Sequence, residues 1–144
     1  MKYLIVVAHP DDEVLGAGAS IWKWAHNGDQ VDVCIMCTEA KARAFRPDDK
    51  ELDDDTHAAL KYIGVNKEYE GTFPNIEMNT VPHLQLVQFI EGAIKESEPD
   101  IVITNLRRKN RQKKMKNWVV RILDALWQFC SFVFVPQRRP RSEV

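Results

Sequence analysis

The chain has 144 residues, enough for one domain around a single core and too few for two ordinary ones. Its 44% hydrophobic content suits a folding domain; no apolar run approaches the ~20 residues of a membrane span and the N-terminus does not read as an export signal, so the expectation is a cytoplasmic protein outside the membrane. The net charge of −1 conceals an asymmetry, because residues 1–104 carry 9 basic and 19 acidic side chains whereas residues 105–144 carry 11 and 2.

In chain order, residues 2–8 are apolar nearly throughout, the pattern of a central strand covered on both faces of a parallel sheet. Residues 12–26 have helical spacing, with Leu15, Ala19, Trp22 and Ala25 as the expected buried face and Asn27-Gly28 as the stop. A second strand is expected over 31–37 and a polar connection over 38–49. A second helix is expected over 51–63, with Leu52, Ala59, Leu60 and Ile63 inward and Gly64 ending it. The chain turns around Phe73-Pro74-Asn75-Ile76. A third helix runs from Pro82 to about Ser97 with Leu84, Val87, Phe89, Ile90 and Ile94 as core candidates, and Asp100 to Thr104 form the next buried strand. Alternating strands and helices predict a layered α/β fold with a mostly parallel sheet, whose ligands bind beyond the carboxyl ends of the strands. His9–Glu13 and the segments after Cys37 and Thr104 should therefore share one rim.

Ala8-His9-Pro10-Asp11-Asp12-Glu13 places one imidazole and three carboxylates at the mouth of the first strand, where such groups are costly unless they bind something. His9 and Asp12 are suitable ligands for zinc, which takes imidazole nitrogen and carboxylate oxygen at ~2.0–2.2 Å. Asp11, held beside a metal, can accept a proton from water and return it to a leaving group. The alternative is structural: the acidic residues cap a helix, where the backbone dipole favours them, and His9 is a satisfied rim histidine. No glycine-rich phosphate loop is present, and three carboxylates would repel a phosphate, which argues against a nucleotide.

The remaining features have plainer readings. Cys34 and Cys37 fall on one strand and point to opposite faces, so with Cys130 they read as buried structural cysteines, not a redox or metal pair. His26, His57 and His83 sit on helices and read as solvated or helix-terminal. Residues 107–121 hold eight Lys and Arg residues with Trp118 nearby. Such a cluster can bind polyanions, but it reads more readily as a solvated segment than as a nucleic-acid surface. Residues 118–127 can form an amphipathic helix and 129–135 a strand or an aggregation-prone exposed segment.

The motif after the first strand resembles the signature of the PIG-L, or LmbE-like, zinc-dependent N-deacetylases. The resemblance continues through Cys37-Thr38-Glu39, Ala58 to Val65, Phe73 to His83 and Glu98 to Thr104, about 104 residues in all. It implies a Rossmann-like three-layer α/β sandwich of LmbE-like type, incomplete at the C-terminus. It also implies Zn2+ held by His9 and Asp12, Asp11 as general base, Arg43 as a substrate contact, and hydrolysis of an N-acetyl group on an N-acetylglucosamine-type conjugate. The partner implied is thus a small amino-sugar conjugate, with a homo-oligomer left open.

The sequence departs from that pattern after Thr104. Family members run there into a His- and Asp-rich segment in which one histidine completes the zinc site and another stabilises the oxyanion; here residues 105–144 contain no histidine. Two protein ligands would leave zinc labile and the oxyanion unassisted, so the expectation for this form is a weak or inactive enzyme. The expected organisation is an LmbE-like domain over 1–104 and an atypical basic segment over 105–144, for which the charge reversal suggests a shifted reading frame or a rearranged gene end. Reading the coding DNA in all three frames tests that idea. The competing expectation is a non-catalytic binding module whose basic tail meets an acidic partner.

Overall fold

The computed structural model describes residues 1–38, 49–75, 77–105 and 132–136. Arg43, Cys130 and the basic stretch 107–121 lie outside the described residues.

The elements follow in the order β1 (Lys2–Val7), α1 (Asp12–His26), β2 (Gln30–Ile35), α2 (Asp49–Ile63), β3 (Lys67–Glu70), a 3-10 turn η1 (Met78–Thr80), α3 (His83–Ser97), β4 (Ile101–Asn105) and β5 (Phe132–Pro136). They build one sheet in the order β3-β2-β1-β4-β5. The first four strands are parallel, with β1 between β2 and β4, and β5 joins β4 antiparallel.

The centre of this sheet is apolar because both faces are covered. Tyr3, Ile5 and Val7 of β1 and Val31, Val33 and Ile35 of β2 pack with Ala17 and Ile21 of α1 and Leu60 and Ile63 of α2. Leu4, Val6, Cys34 and Val102 face the other way, onto Leu86, Ile90 and Ala93 of α3. The period of two along each strand thus sorts neighbouring residues into two cores. The result is the expected three-layer α/β sandwich. Cys34 and Cys37 are buried and in no disulfide, and burial pushes the Cys34 thiol up to about 12, which makes it inert.

Two expectations need correction. Leu15 and Trp22 do not face the core; Leu15 is 82% exposed and Trp22 stacks on His26. The buried stripe of α1 is Glu13, Ala17, Gly18 and Ile21. Ala19, also expected inward, is exposed as well, because the face that packs on the sheet and α2 is the one carrying Ala17 and Ile21. On α3, Leu84 is exposed and Leu86 takes the core position, since Leu86, Ile90 and Ala93 recur at spacings of four and three. Lys67–Glu70 forms a strand although none of its residues is a core aliphatic, because it pairs only with β2 at the sheet edge. Phe132–Pro136 falls on the stretch 129–135 for which a strand is one of the expectations, and it pairs antiparallel with β4 in the same sheet.

Gly64 closes α2 for a double reason. Its φ of 88° is one that side chains rarely adopt, and a Cβ there would stand 2.7 Å from the Ala25 Cβ.

Candidate active site

The strand order makes β1 the switch point: the chain leaves it through α1 toward β2 on one side and returns through α3 to β4 on the other. Connections diverge there and leave a crevice beyond the carboxyl ends of the strands. His9–Glu13 leaves β1 into that crevice.

The turn is held by its own polar groups. The Asp12 carboxylate accepts the His9 backbone N–H at 3.2 Å, and the Asp12 N–H reaches the His9 carbonyl at 3.4 Å. His9 Nδ1 lies 3.6 Å from the same Asp12 oxygen, and the two side chains are only 18% and 20% exposed. Two ligands of one tetrahedral zinc stand roughly 3.3 Å apart at ~2.0–2.1 Å bond lengths. The pair therefore fits two corners of such a shell. Among the described residues no third metal-ligating side chain joins it within a ligand's reach of both.

Asp11, between them, is exposed and adopts φ 107° and ψ −30° at the N-cap of α1. Among the described residues the only other positive-φ side chain is Glu98, in the ordinary left-handed region. A conformation this rare for a residue with a Cβ costs on the order of 1–3 kcal/mol and persists only where its surroundings impose it. The Asp11 N–H donates to the Glu13 carboxylate at 3.2 Å, and its carbonyl accepts the Leu15 N–H at 2.9 Å.

Glu13 is 1% exposed, buried on the sheet side of α1. Burial pushes its carboxyl up to about 7, the backbone N–H groups of Glu13 and Asp11 oppose that shift, and the charges of Asp11 and Asp12 add to it. Beside this turn opens a groove of about 390 Å³ between the first turn of α1 and α2, lined by Asp11, Glu13, Val14, Leu15, Leu52 and Ala59 among others. It gives Asp11 an apolar flank and a way in from solvent. Thr104, at the carboxyl end of β4 and paired in register with Val6, is buried, and its hydroxyl has no hydrogen-bond partner among the described residues.

A second histidine gathers carboxylates elsewhere. His57 Nδ1 donates to the Asp53 carbonyl at 2.7 Å, and Nε2 lies 2.9 Å from Glu68 of β3. Ligand atoms of Asp53, His57 and Glu70 fall within 4.8 Å of one another, and all three residues are exposed. The bond to the Asp53 carbonyl raises the His57 pKa, with the carboxylates of Glu68, Glu70 and Asp53 adding to it. Protonated, this imidazole ties α2 to the edge strand. His26 bonds the Trp22 carbonyl at 2.8 Å, a helix-end contact as expected.

The sequence profile described as PIG-L, GlcNAc-PI de-N-acetylase, matches residues 4–117. The chain belongs to the PIG-L family. No curated protein matches it. Among solved structures it is similar to the N,N'-diacetylchitobiose deacetylase from Pyrococcus horikoshii, with TM-score 0.60 and 22% identity over 69% of this chain and 38% of that one. A conserved protein from Thermus thermophilus gives 0.62 and 21%, over 86% and 54%. GalB, the 4-carboxy-2-hydroxymuconate hydratase from Pseudomonas putida, gives 0.63 and 16%, over 88% and 55%. These likenesses establish the fold alone, and a deacetylase and a hydratase share it. This PIG-L chain spans less than two thirds of the length of each of these three structures. Among its described residues no helix is long and apolar enough to cross a membrane.

Proposed function

We propose that this PIG-L chain carries the metal-binding half of a zinc-dependent N-deacetylase site, acting on the acetamide of an N-acetylglucosamine-type conjugate, with His9 and Asp12 holding zinc and Asp11 as general base. The observation that carries the reading is the approach of His9 Nδ1 to the Asp12 carboxylate at the switch point, with a strained Asp11 between them. Zinc, when bound, polarises an amide carbonyl and makes a neighbouring water more acidic. The residues supply the rest. The Asp12 carboxylate fixes the His9 main chain while its near neighbour, the imidazole, takes up the second ligand position. A carboxylate oxygen of Asp11 takes a proton from the attacking water and returns it to the departing amine, so one group serves as base and then as acid. The groove beside Asp11 offers room for the part of the conjugate that does not react, and Arg43 is proposed as a contact to it.

The absence of histidine from 105–144 bears on strength of binding. A metal held by two protein side chains exchanges readily, so zinc is supplied in excess during the test. The test is acetate release from an N-acetylglucosamine conjugate by the zinc-supplemented protein, compared with Asp11→Asn. Release that the substitution abolishes supports the reading. No release from protein shown to bind zinc removes the deacetylase activity from this chain.

A further inference from the structure

We propose that Glu13 is a positioning residue for Asp11: its buried carboxylate accepts the Asp11 N–H and holds the backbone turn that aims the Asp11 side chain. The inference rests on the reading of Asp11 as the group that moves the proton. Three observations meet here. Glu13 is 1% exposed, although charged residues are almost never fully buried unless paired. Its Oε2 stands 3.2 Å from the Asp11 nitrogen. That nitrogen belongs to the residue with φ 107°, a conformation that needs an external restraint to persist.

The geometry differs from ordinary helix capping. In a capping box the returning carboxylate comes from the third helical residue and bonds the N–H of a cap in extended conformation. Here it comes from the second helical residue and bonds a cap with positive φ. The short reach is available because Glu13 points under the helix, in line with Ala17 and Ile21 on the buried stripe, and so approaches Asp11 from the protein side. Asp11 is thereby held through its N–H at the wall of the groove that both residues line.

The first measurement is amide hydrogen exchange by NMR on the intact wild-type chain. Asp11 is exposed, so slow exchange of its N–H reports the bond to Glu13, and exchange as fast as an open loop overturns the proposal without any variant. Glu13→Gln keeps an acceptor oxygen, whereas Glu13→Leu keeps the bulk and loses the acceptor. The expected result is protection of the Asp11 amide in Glu13→Gln and its loss in Glu13→Leu. For acetate release, kcat should fall roughly 100-fold in Glu13→Leu, the scale of a displacement near 1 Å at a reacting group, with KM unchanged. Glu13→Gln should recover most of it. A Glu13→Leu chain whose Asp11 amide stays protected, or whose kcat is unaltered once protection is lost, overturns the proposal. Failure of the wild-type chain to release acetate counts against the deacetylase reading instead, and the exchange measurements still decide whether Glu13 holds Asp11.

Discussion

Among the described residues, the end of β1 and the α2–β3 face each combine a histidine with carboxylates, and they differ in what the fold does with them. At the end of β1, His9 and Asp12 are four-fifths buried, Glu13 is fully buried, and the backbone between them is strained. On α2 and β3, His57, Asp53 and Glu70 are exposed, on ordinary helix and strand backbone. Closeness of ligand atoms is similar in both. Desolvation and strain are not, and both are costs that a purely structural cluster has no reason to carry. The contrast teaches that a set of metal-ligating side chains becomes a candidate site when its surroundings prevent water from satisfying it.

The largest expected effect separates the two regions by metal content. Elemental mass spectrometry of protein equilibrated with zinc should find it lost in His9→Ala and Asp12→Ala and retained in His57→Ala. Loss in His57→Ala with retention in the other two would transfer the metal to the α2 cluster and break the comparison. Next comes the rim of the first region. Thr104→Val removes a buried hydroxyl without a partner among the described residues and keeps the shape, so thermal stability should rise by about 1 kcal/mol. A fall in Tm would show that the hydroxyl is satisfied by a group on the rim.

A paired substitution sharpens the contrast in strain. Asp11→Gly relieves φ 107° and should leave Tm unchanged or higher while abolishing acetate release, whereas Asp53→Gly, inside α2, should lose on the order of 0.5–1 kcal/mol. Equal losses would mean that Asp11 is not strained.

The smallest effect is a pH dependence. His57 is raised above its ordinary 6.5 by its bond to the Asp53 carbonyl and by the facing Glu68, Glu70 and Asp53 carboxylates. Its stabilisation is therefore fully present below the unfolded value and is lost as pH rises through the folded one. The Tm gap between wild type and His57→Ala should be small at about pH 6, as exposed ion pairs are, and close by about pH 9. A gap that widens with pH would mean that the imidazole is held neutral.

Much of the fold is legible in the chain because its signals are local. The apolar run of β1, the stop at Asn27-Gly28 and the helix-ending Gly64 each follow from a few neighbouring residues. The motif at His9–Glu13 is legible for the same reason: strand, tight turn and helix start are one short segment. The misplaced faces of α1 and α3 have a different origin. Several stripes on each helix contain apolar residues, and which of them is buried depends on the face that the sheet and the neighbouring helix cover. The role of Glu13 was present as a spacing, since positions 13, 17 and 21 lie four apart, but a carboxylate at the head of a stripe reads as a helix-start charge until its burial is known. The α2–β3 cluster could not be read from sequence at all, because β3 has no strand pattern of its own and owes its existence to pairing with β2.

The sequence by itself determined the class of fold, the family and the identity of the residues at the first crossover, because periodicity and short motifs act over distances the chain spans locally. Only the tertiary structure decided which of two histidine–carboxylate groups is desolvated, that Asp11 is held at a positive φ, and that the C-terminal strand pairs with β4. Burial, backbone strain and strand neighbours depend on segments remote in sequence, and those are brought together only by the packing of helices on both faces of the sheet.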